Sequence, residues 1–307
     1  MTPEFPVALA RIGNYQQAEE AVPALLEKAG IRVASGERVL VKPNLLIALP
    51  LACSNPLLVA AICKTLLDCG AKVIVADSPG FGSASHVANS IGLNQALKPL
   101  GLETLPMAKP RRVQLALKEK SGKPVSIAIS STALDCDRLL SVCRIKAHAQ
   151  LRLTLSVKNC FGCVPGIRKA IAHTRFGQST EAFADFLAAV WQALPSVAGV
   201  VDGIVAMSGK GPRDGRPVHL NLLAASGCAP AVDNAVIMAL GEPLDRIPLA
   251  AALSRRGILP ELSFPMKKPE DFDTTGFKLP ERLAPASFNP ARLAWSVCKR
   301  LWQGVKR

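Results

Sequence analysis

Aromatic side chains are scarce: one Tyr, three Trp and ten Phe among 307 residues. A groove that binds nucleic acid by stacking needs aromatics interleaved with cations, whereas Lys and Arg are spread along this chain, so no nucleic-acid partner is expected. Acidic residues are also few, 23 against 37 Lys and Arg, which leaves a net charge of +14. That imbalance draws in polyanions, phosphorylated metabolites or anionic lipid headgroups. No apolar run reaches the roughly 18 to 20 residues that cross a bilayer. The opening MTPEFPVALARIGNY has no charged start followed by a long apolar core, so a signal peptide is not expected either. The expected location is cytoplasmic, with peripheral contact at the inner membrane left open. Also missing are a P-loop, a G-x-G-x-x-G after a strand, a G-x-S-x-G elbow and an H-E-x-x-H, which weakens the commonest nucleotide and hydrolase readings. The nine cysteines are scattered and odd in number, as suits reduced thiols.

What is present is a core-forming chain, 49% hydrophobic and 20% charged, apolar enough to offset chain entropy. Val39-Leu40-Val41 reads as a buried strand that opens into a loop at Lys42-Pro43-Asn44. Ser54-Asn55-Pro56 caps a helix that runs to Cys69, and Lys72 to Ala76 is the next strand, followed by Asp77-Ser78-Pro79-Gly80. Strand, helix, strand makes a parallel unit. A helix over about 85–97, short strands near 113–117 and 125–129, and a core strand at 138–143 follow. The next features are an amphipathic helix at 180–194, a strand at 199–207 with Asp202-Gly203 inside it, a charged glycine-rich loop at 209–216, a strand at 220–225 and a helix at 232–240. The expected fold is α/β, a mainly parallel sheet flanked by helices in two closely packed lobes. Residues 1–245 form its core, and 246–307 form a wrapping C-terminal arm that ends in a basic amphipathic helix at 290–307.

Between Lys146 and His173 the chain is dense in polar side chains: KAHAQLRLTLSVKNCFGCVPGIRKAIAH. Lys146, His148, Lys158, Asn159, Lys169 and His173, with Gly162 and Gly166 among them, are suited to phosphate or carboxylate. The glycines let backbone N–H groups approach as well. Lys42, Asn44, Asp77 and Ser78 each follow a strand, and ligands of open parallel sheets bind past the carboxyl ends of strands. Asp202, inside an apolar strand, demands a cationic partner, expected to be one of these lysines. Asp233 reads as a helix cap. Cys160 and Cys163 form a C-x-x-C that, with His148 and His173, makes a candidate four-ligand set for a metal ion or an iron–sulfur cluster.

The K-x-H at 146–148 and the TLSVKNCFGCVPGIRK at 154–169 resemble the bacterial and archaeal family called domain of unknown function 362. VKPN at 41–44, ADSPG at 76–80, VVDGIVAMSGKGP at 200–212 and AVDNAVIMALG at 231–241 resemble further blocks of that family, which together cover most of 35–245. The resemblance implies an association with iron–sulfur chemistry, because many members carry a ferredoxin-like cluster domain with C-x-x-C-x-x-C runs after this core. No such run occurs here, so a separate ferredoxin is the partner it implies. The K…P-G segment is also faintly similar to the lactate racemase catalytic domain, where a lysine holds a nickel pincer cofactor, though the lysine-to-proline spacing differs.

Three functions stay open. The first is an enzyme for a small phosphorylated or carboxylated substrate. In it Lys42, Asn44, Asp77, Ser78, Lys146, Asn159, Gly162, Gly166 and Lys169 bind, and His148, Lys158, His173 and Asp202 act in catalysis. The second is a redox protein with a metal or cluster at Cys160 and Cys163. The third is a non-catalytic basic protein held at a membrane surface through 290–307.

Overall fold

The computed structural model describes residues 3–119 and 121–284. It begins with strand β1 (Glu4–Arg11) and helix α1 (Ala18–Lys28), whose Val22, Leu25 and Leu26 fall on one face and are buried. Then comes the expected parallel unit, β2 (Arg38–Lys42), α2 (Pro56–Asp68) and β3 (Lys72–Asp77), with Val39 beside Val73 in parallel register. Asn55 rather than Ser54 is the cap of α2, its side chain accepting from Leu57 N at 2.9 Å, and Pro56 stands at the first helical position. The single helix expected over 85–97 is two, α3 (Ala84–Ser90) and α4 (Leu93–Leu97). Gly92 at φ +81° turns the chain between them.

Strand β4 (Thr104–Pro106) extends the sheet from β3, and β5 (Pro110–Lys118) pairs antiparallel with β6 (Pro124–Ser130) as a separate ribbon. After the short α5 (Ser131–Leu134) comes the central strand β7 (Arg138–His148), which runs five residues past the expected 138–143. Leu140 and Val142 face the α1 and α2 side, while Leu139, Cys143 and Ile145 face the other, so the strand is buried on both faces. Its extension carries Lys146 and His148, which are strand residues rather than loop residues.

The chain returns along β7 as β8 (Arg152–Thr154) and enters α6 (Ser156–Asn159). A 3-10 turn at Cys160–Cys163 leads to α7 (Arg168–Phe176), and α8 (Thr180–Gln192) follows. Strand β9 (Val197–Ser208) lies parallel to β7 with a bulge between the levels of Arg144 and Lys146, and β10 (Arg216–Val218) and β11 (Leu222–Ser226) both run antiparallel to β9. Helix α9 (Ala229–Ala239) comes next. The main sheet has the order β12-β1-β11-β9-β7-β2-β3-β4 once the last strand is added. That strand is β12 (Glu261–Ser263), which joins β1 in parallel register. The architecture is therefore α/β: a mixed, mostly parallel sheet with helices on both faces.

Residues 246–284 pack on this body. Helix α10 (Pro248–Arg255) buries Leu249 and Leu253 with Phe183 and Leu187 of α8 in one apolar cluster, and Ala284 N donates to Ala149 O at 2.9 Å. The basic helix expected at 290–307 lies outside the described residues. Because β2, β3, β7 and β9 share one direction, their carboxyl ends bring Lys42, Asp77, Lys146 and Ser208 to the same rim of the sheet.

Candidate functional site

Lys42 ends β2 fully buried, and its Nζ donates to Asp77 Oδ1 at 2.6 Å, to Pro43 O at 3.0 Å and to Asn159 Oδ1 at 3.1 Å. All three N–H donors of the ammonium are thereby used, and its charge is cancelled by Asp77. The other oxygen of Asp77 accepts from Leu45 N at 2.8 Å. Asn159, from α6, donates in turn to Ser141 Oγ at 3.0 Å and Lys42 O at 3.2 Å. Gly162 closes over this pair. A Cβ added there would stand 2.3 Å from Asp77 Oδ1 and 2.4 Å from Lys42 Nζ, so no larger residue fits.

Asn44 links the pair to a second lysine. Its Nδ2 donates to Asn159 Oδ1 at 2.9 Å, and its Oδ1 accepts from Lys146 Nζ. Lys146 also donates to Ala52 O at 2.6 Å, and both its acceptors are neutral. Burial holds its pKa down, at about 8. Lys169, at the start of α7, donates to Ser78 O, to Ser78 Oγ at 2.9 Å and to Pro79 O at 3.1 Å, while Gly166 N donates to the same hydroxyl at 3.2 Å. Gly166 has φ +64°, which suits glycine. The loop after α6 is thus fastened to the end of β3.

Lys158 differs from these three. It is half-buried on α6 and makes no hydrogen bond or ion pair among the described residues. Burial first, and then the charges of Lys146 and Lys42, lower its pKa to about 7. Two imidazoles feel its charge. His148 is pushed well below the ordinary imidazole range by burial and then by Lys158, and His173 falls to about 4 for the same two causes in the same order. Both are neutral at pH 7. His148 Nδ1 accepts from Gln150 N at 3.2 Å and Leu151 N at 3.3 Å, which assigns its proton to Nε2. His173 packs against Phe183, with ring centroids 4.4 Å apart.

A family model described as Domain of unknown function (DUF362) matches residues 39–238, a span that contains this whole cluster. The chain belongs to the DUF362 family. The "Thylakoid-associated protein sll1697" of Synechocystis sp. (strain ATCC 27184 / PCC 6803 / Kazusa) is similar to it, 34% identical over 96% of this chain and 94% of that one. Among solved structures, a Thermotoga maritima protein aligns with TM-score 0.43 at 9% identity over 68% of this chain. The lactate racemase apoprotein from Thermoanaerobacterium thermosaccharolyticum aligns with TM-score 0.42 at 14% identity over 73%. The chain spans 54% of the length of each of these two.

In this DUF362 chain Asp202 is not a partner of the lysines. It is fully buried on β9 opposite Arg144, whose Nη2 lies 3.6 Å from Oδ2, and it accepts from Tyr15 Oη at 2.9 Å and Ile204 N at 3.0 Å. Arg144 and Asp202 are register partners on adjacent strands, which is why the arginine reaches it first. The candidate four-ligand metal set of Cys160, Cys163, His148 and His173 does not assemble either. Among the described residues no three His, Cys, Asp or Glu side chains come together to hold a metal ion. Cys160 and Cys163 are buried; burial pushes Cys160 well up and Cys163 to about 12, so both stay thiols. Cys160 Sγ donates to Ser156 O at 3.4 Å and acts as a small core residue.

Sequence reasoning missed two supports. Ser54 Oγ accepts from Asn44 N and donates to Val142 O, both at 2.8 Å, and so ties the Lys42–Asn44 loop to β7. Asp233 caps a helix, though not its own. It sits within α9, and its carboxylate accepts from Ser156 N at 2.8 Å and Val157 N at 2.9 Å, fixing the start of α6 and with it Lys158. Burial raises the Asp233 pKa to about 7 against the pull of those two N–H groups. A carboxyl raised in the folded state binds its proton more tightly there than in the unfolded chain. It therefore lends stability at low pH that is lost as pH rises from the ordinary carboxylate range through about 7. Asp233→Asn should flatten that part of the stability profile, read as the difference from wild type in urea unfolding across the pH series. It should also cost about 1 kcal/mol at acid pH for one weakened N–H bond. An unchanged slope would mean that Asp233 does not titrate there.

Proposed function

We propose that the rim formed by Lys158, Lys146, His148 and His173 is the active centre of an enzyme that takes a small phosphorylated or carboxylated substrate. The observation that supports this most directly is the accounting of lysine donors. Lys42 is neutralised by Asp77 and has no donor left, and Lys169 has its three donors on Ser78 and Pro79. Among the described residues Lys146 retains its charge and one donor, and Lys158 retains all three. An anion at this rim would gain charge-assisted bonds from both, and two neutral imidazoles stand beside it, His148 offering its Nε2–H as a donor. Lys42, Asn44, Asp77, Asn159, Gly162 and Gly166 hold this arrangement in place from below.

Thermal denaturation with sulfate, phosphate and small carboxylates tests the reading without a known substrate. At least one should raise the melting temperature of the wild type and raise that of Lys158→Gln by distinctly less, because only Lys146 then holds the anion. Equal shifts in both proteins would remove the site from consideration.

A second reading concerns place rather than chemistry. Its support is the net charge of +14, together with the thylakoid association in the name of a relative similar over nearly the full chain. Among the described residues no helix is long and apolar enough to cross a membrane. A basic surface instead meets an anionic bilayer peripherally, with an attraction that salt screens. Co-sedimentation with phosphatidylglycerol vesicles should fall steeply between low and high salt. Removing 290–307 asks whether the terminal basic segment carries that contact.

A further inference from the structure

We propose that Lys158 Nζ condenses with the carbonyl carbon of an anionic carbonyl substrate, a 2-oxo acid or a phosphorylated aldehyde or ketone, to form an imine. The proposal rests on the anion-site reading above and adds what the lysine does to the bound molecule. Its geometric basis is the contrast among four lysines in one cluster. Lys42, Lys146 and Lys169 are each tethered to two or three acceptors, which fixes the nitrogen and occupies its donors. Lys158 has no such tether among the described residues. Its backbone is nonetheless held firmly, because α6 is capped by Asp233 and its neighbours Val157, Asn159 and Cys160 are buried. A reactive nitrogen therefore projects from a fixed base.

The electrostatic setting favours the same chemistry. A lysine attacks a carbonyl only as the free amine, and desolvation beside other cations is one route by which enzymes obtain it near neutral pH. Lys158 meets both conditions, since burial and the charges of Lys146 and Lys42 bring it to about 7. Among the described residues no carboxylate pairs with it to restore the charged form. The same Lys146 that disfavours the ammonium would hold the substrate's carboxylate or phosphate. The step balances without an oxidant or cosubstrate. The nitrogen lone pair forms the C–N bond as the C=O bond opens, both amine protons pass to the oxygen, and that oxygen leaves as water. His148 and His173, neutral at pH 7, are the groups at hand to carry those protons.

Borohydride trapping of the full chain is the test, with pyridoxal 5′-phosphate as a phosphorylated aldehyde and pyruvate as a 2-oxo acid. The expected result, at substoichiometric probe, is a reduced adduct that peptide mapping places on Lys158. It should be suppressed by sulfate, form faster as pH rises through about 7, and disappear in Lys158→Arg, which keeps a cation and cannot form an imine. Label spread over surface lysines with Lys158 unmodified, while sulfate still stabilises the protein, would overturn the imine and leave the anion site standing. Absence of both the adduct and the sulfate stabilisation would overturn both.

Discussion

Replacing Lys42 by methionine lowers the free energy of unfolding by ~3–5 kcal/mol, the range for removing one member of a buried ion pair. The side chain is fully buried and its partner Asp77 is 2% exposed, so neither charge is solvated by water once the other is gone. The substitution also leaves Pro43 O and Asn159 Oδ1 short of a donor, and Asp77 retains only the N–H of Leu45. Urea unfolding checks the loss. The change Lys42→Met/Asp77→Leu recovers part of it, because an apolar pair of similar volume avoids the stranded charge. Gly162→Ala presses on the same two atoms and costs ~1–3 kcal/mol by overpacking. Since both changes act on one pair, Gly162→Ala combined with Lys42→Met costs less than the sum of the two. A Lys42→Met loss under about 1 kcal/mol would mean water reaches the pair, as in surface ion pairs, and would remove the rigid floor from beneath Lys158.

That floor was legible in the sequence as a set of residues but not as a set of bonds. Apolar runs ending at Lys42 and Asp77 placed both at the carboxyl ends of parallel strands, and the sheet puts them 2.6 Å apart. Leu151, Leu153, Leu155 and Val157 alternate with polar neighbours, the pattern of a segment that dips into the core, and all four are buried. What periodicity could not supply was distance between elements. A carboxylate inside an apolar strand needs a cation, and Asp202 has one, but the choice of Arg144 over a lysine follows from the register of β7 on β9. The sequence marks Asp233 as a cap, and only the packing of α9 on α6 shows whose N-terminus it serves. Cys160 and Cys163 carried a spacing that fits metal sites. A spacing says nothing of burial, and burial keeps them protonated. Lys158 was one lysine among several in the sequence. Its distinction is the absence of an acceptor among the described residues, a property no local pattern encodes.

Sulfate affinity should therefore fall as pH rises through about 7, where Lys158 loses its proton, and fall again through about 8 as Lys146 follows. Sulfate keeps its charge across this window, so the change belongs to the protein. Each deprotonation removes one charge-assisted contact and weakens binding up to about tenfold per pH unit beyond its midpoint. Isothermal titration across pH 6 to 9 reads both steps. The apo protein should show the linked trend in stability. A lysine whose pKa is lowered by folding binds its proton less tightly than in the unfolded chain. The folded state therefore gains as pH rises from about 7 towards the ordinary lysine range, and bound sulfate, by favouring the ammonium, removes that gain. Lys158→Gln should erase the lower step in sulfate binding and keep the upper one. Lys146→Met removes the largest like-charge repulsion on Lys158 and should move the Lys158 step to higher pH. Sulfate binding that is flat across this range in the wild type would show that neither lysine holds the anion, and the donor accounting would lose its functional meaning.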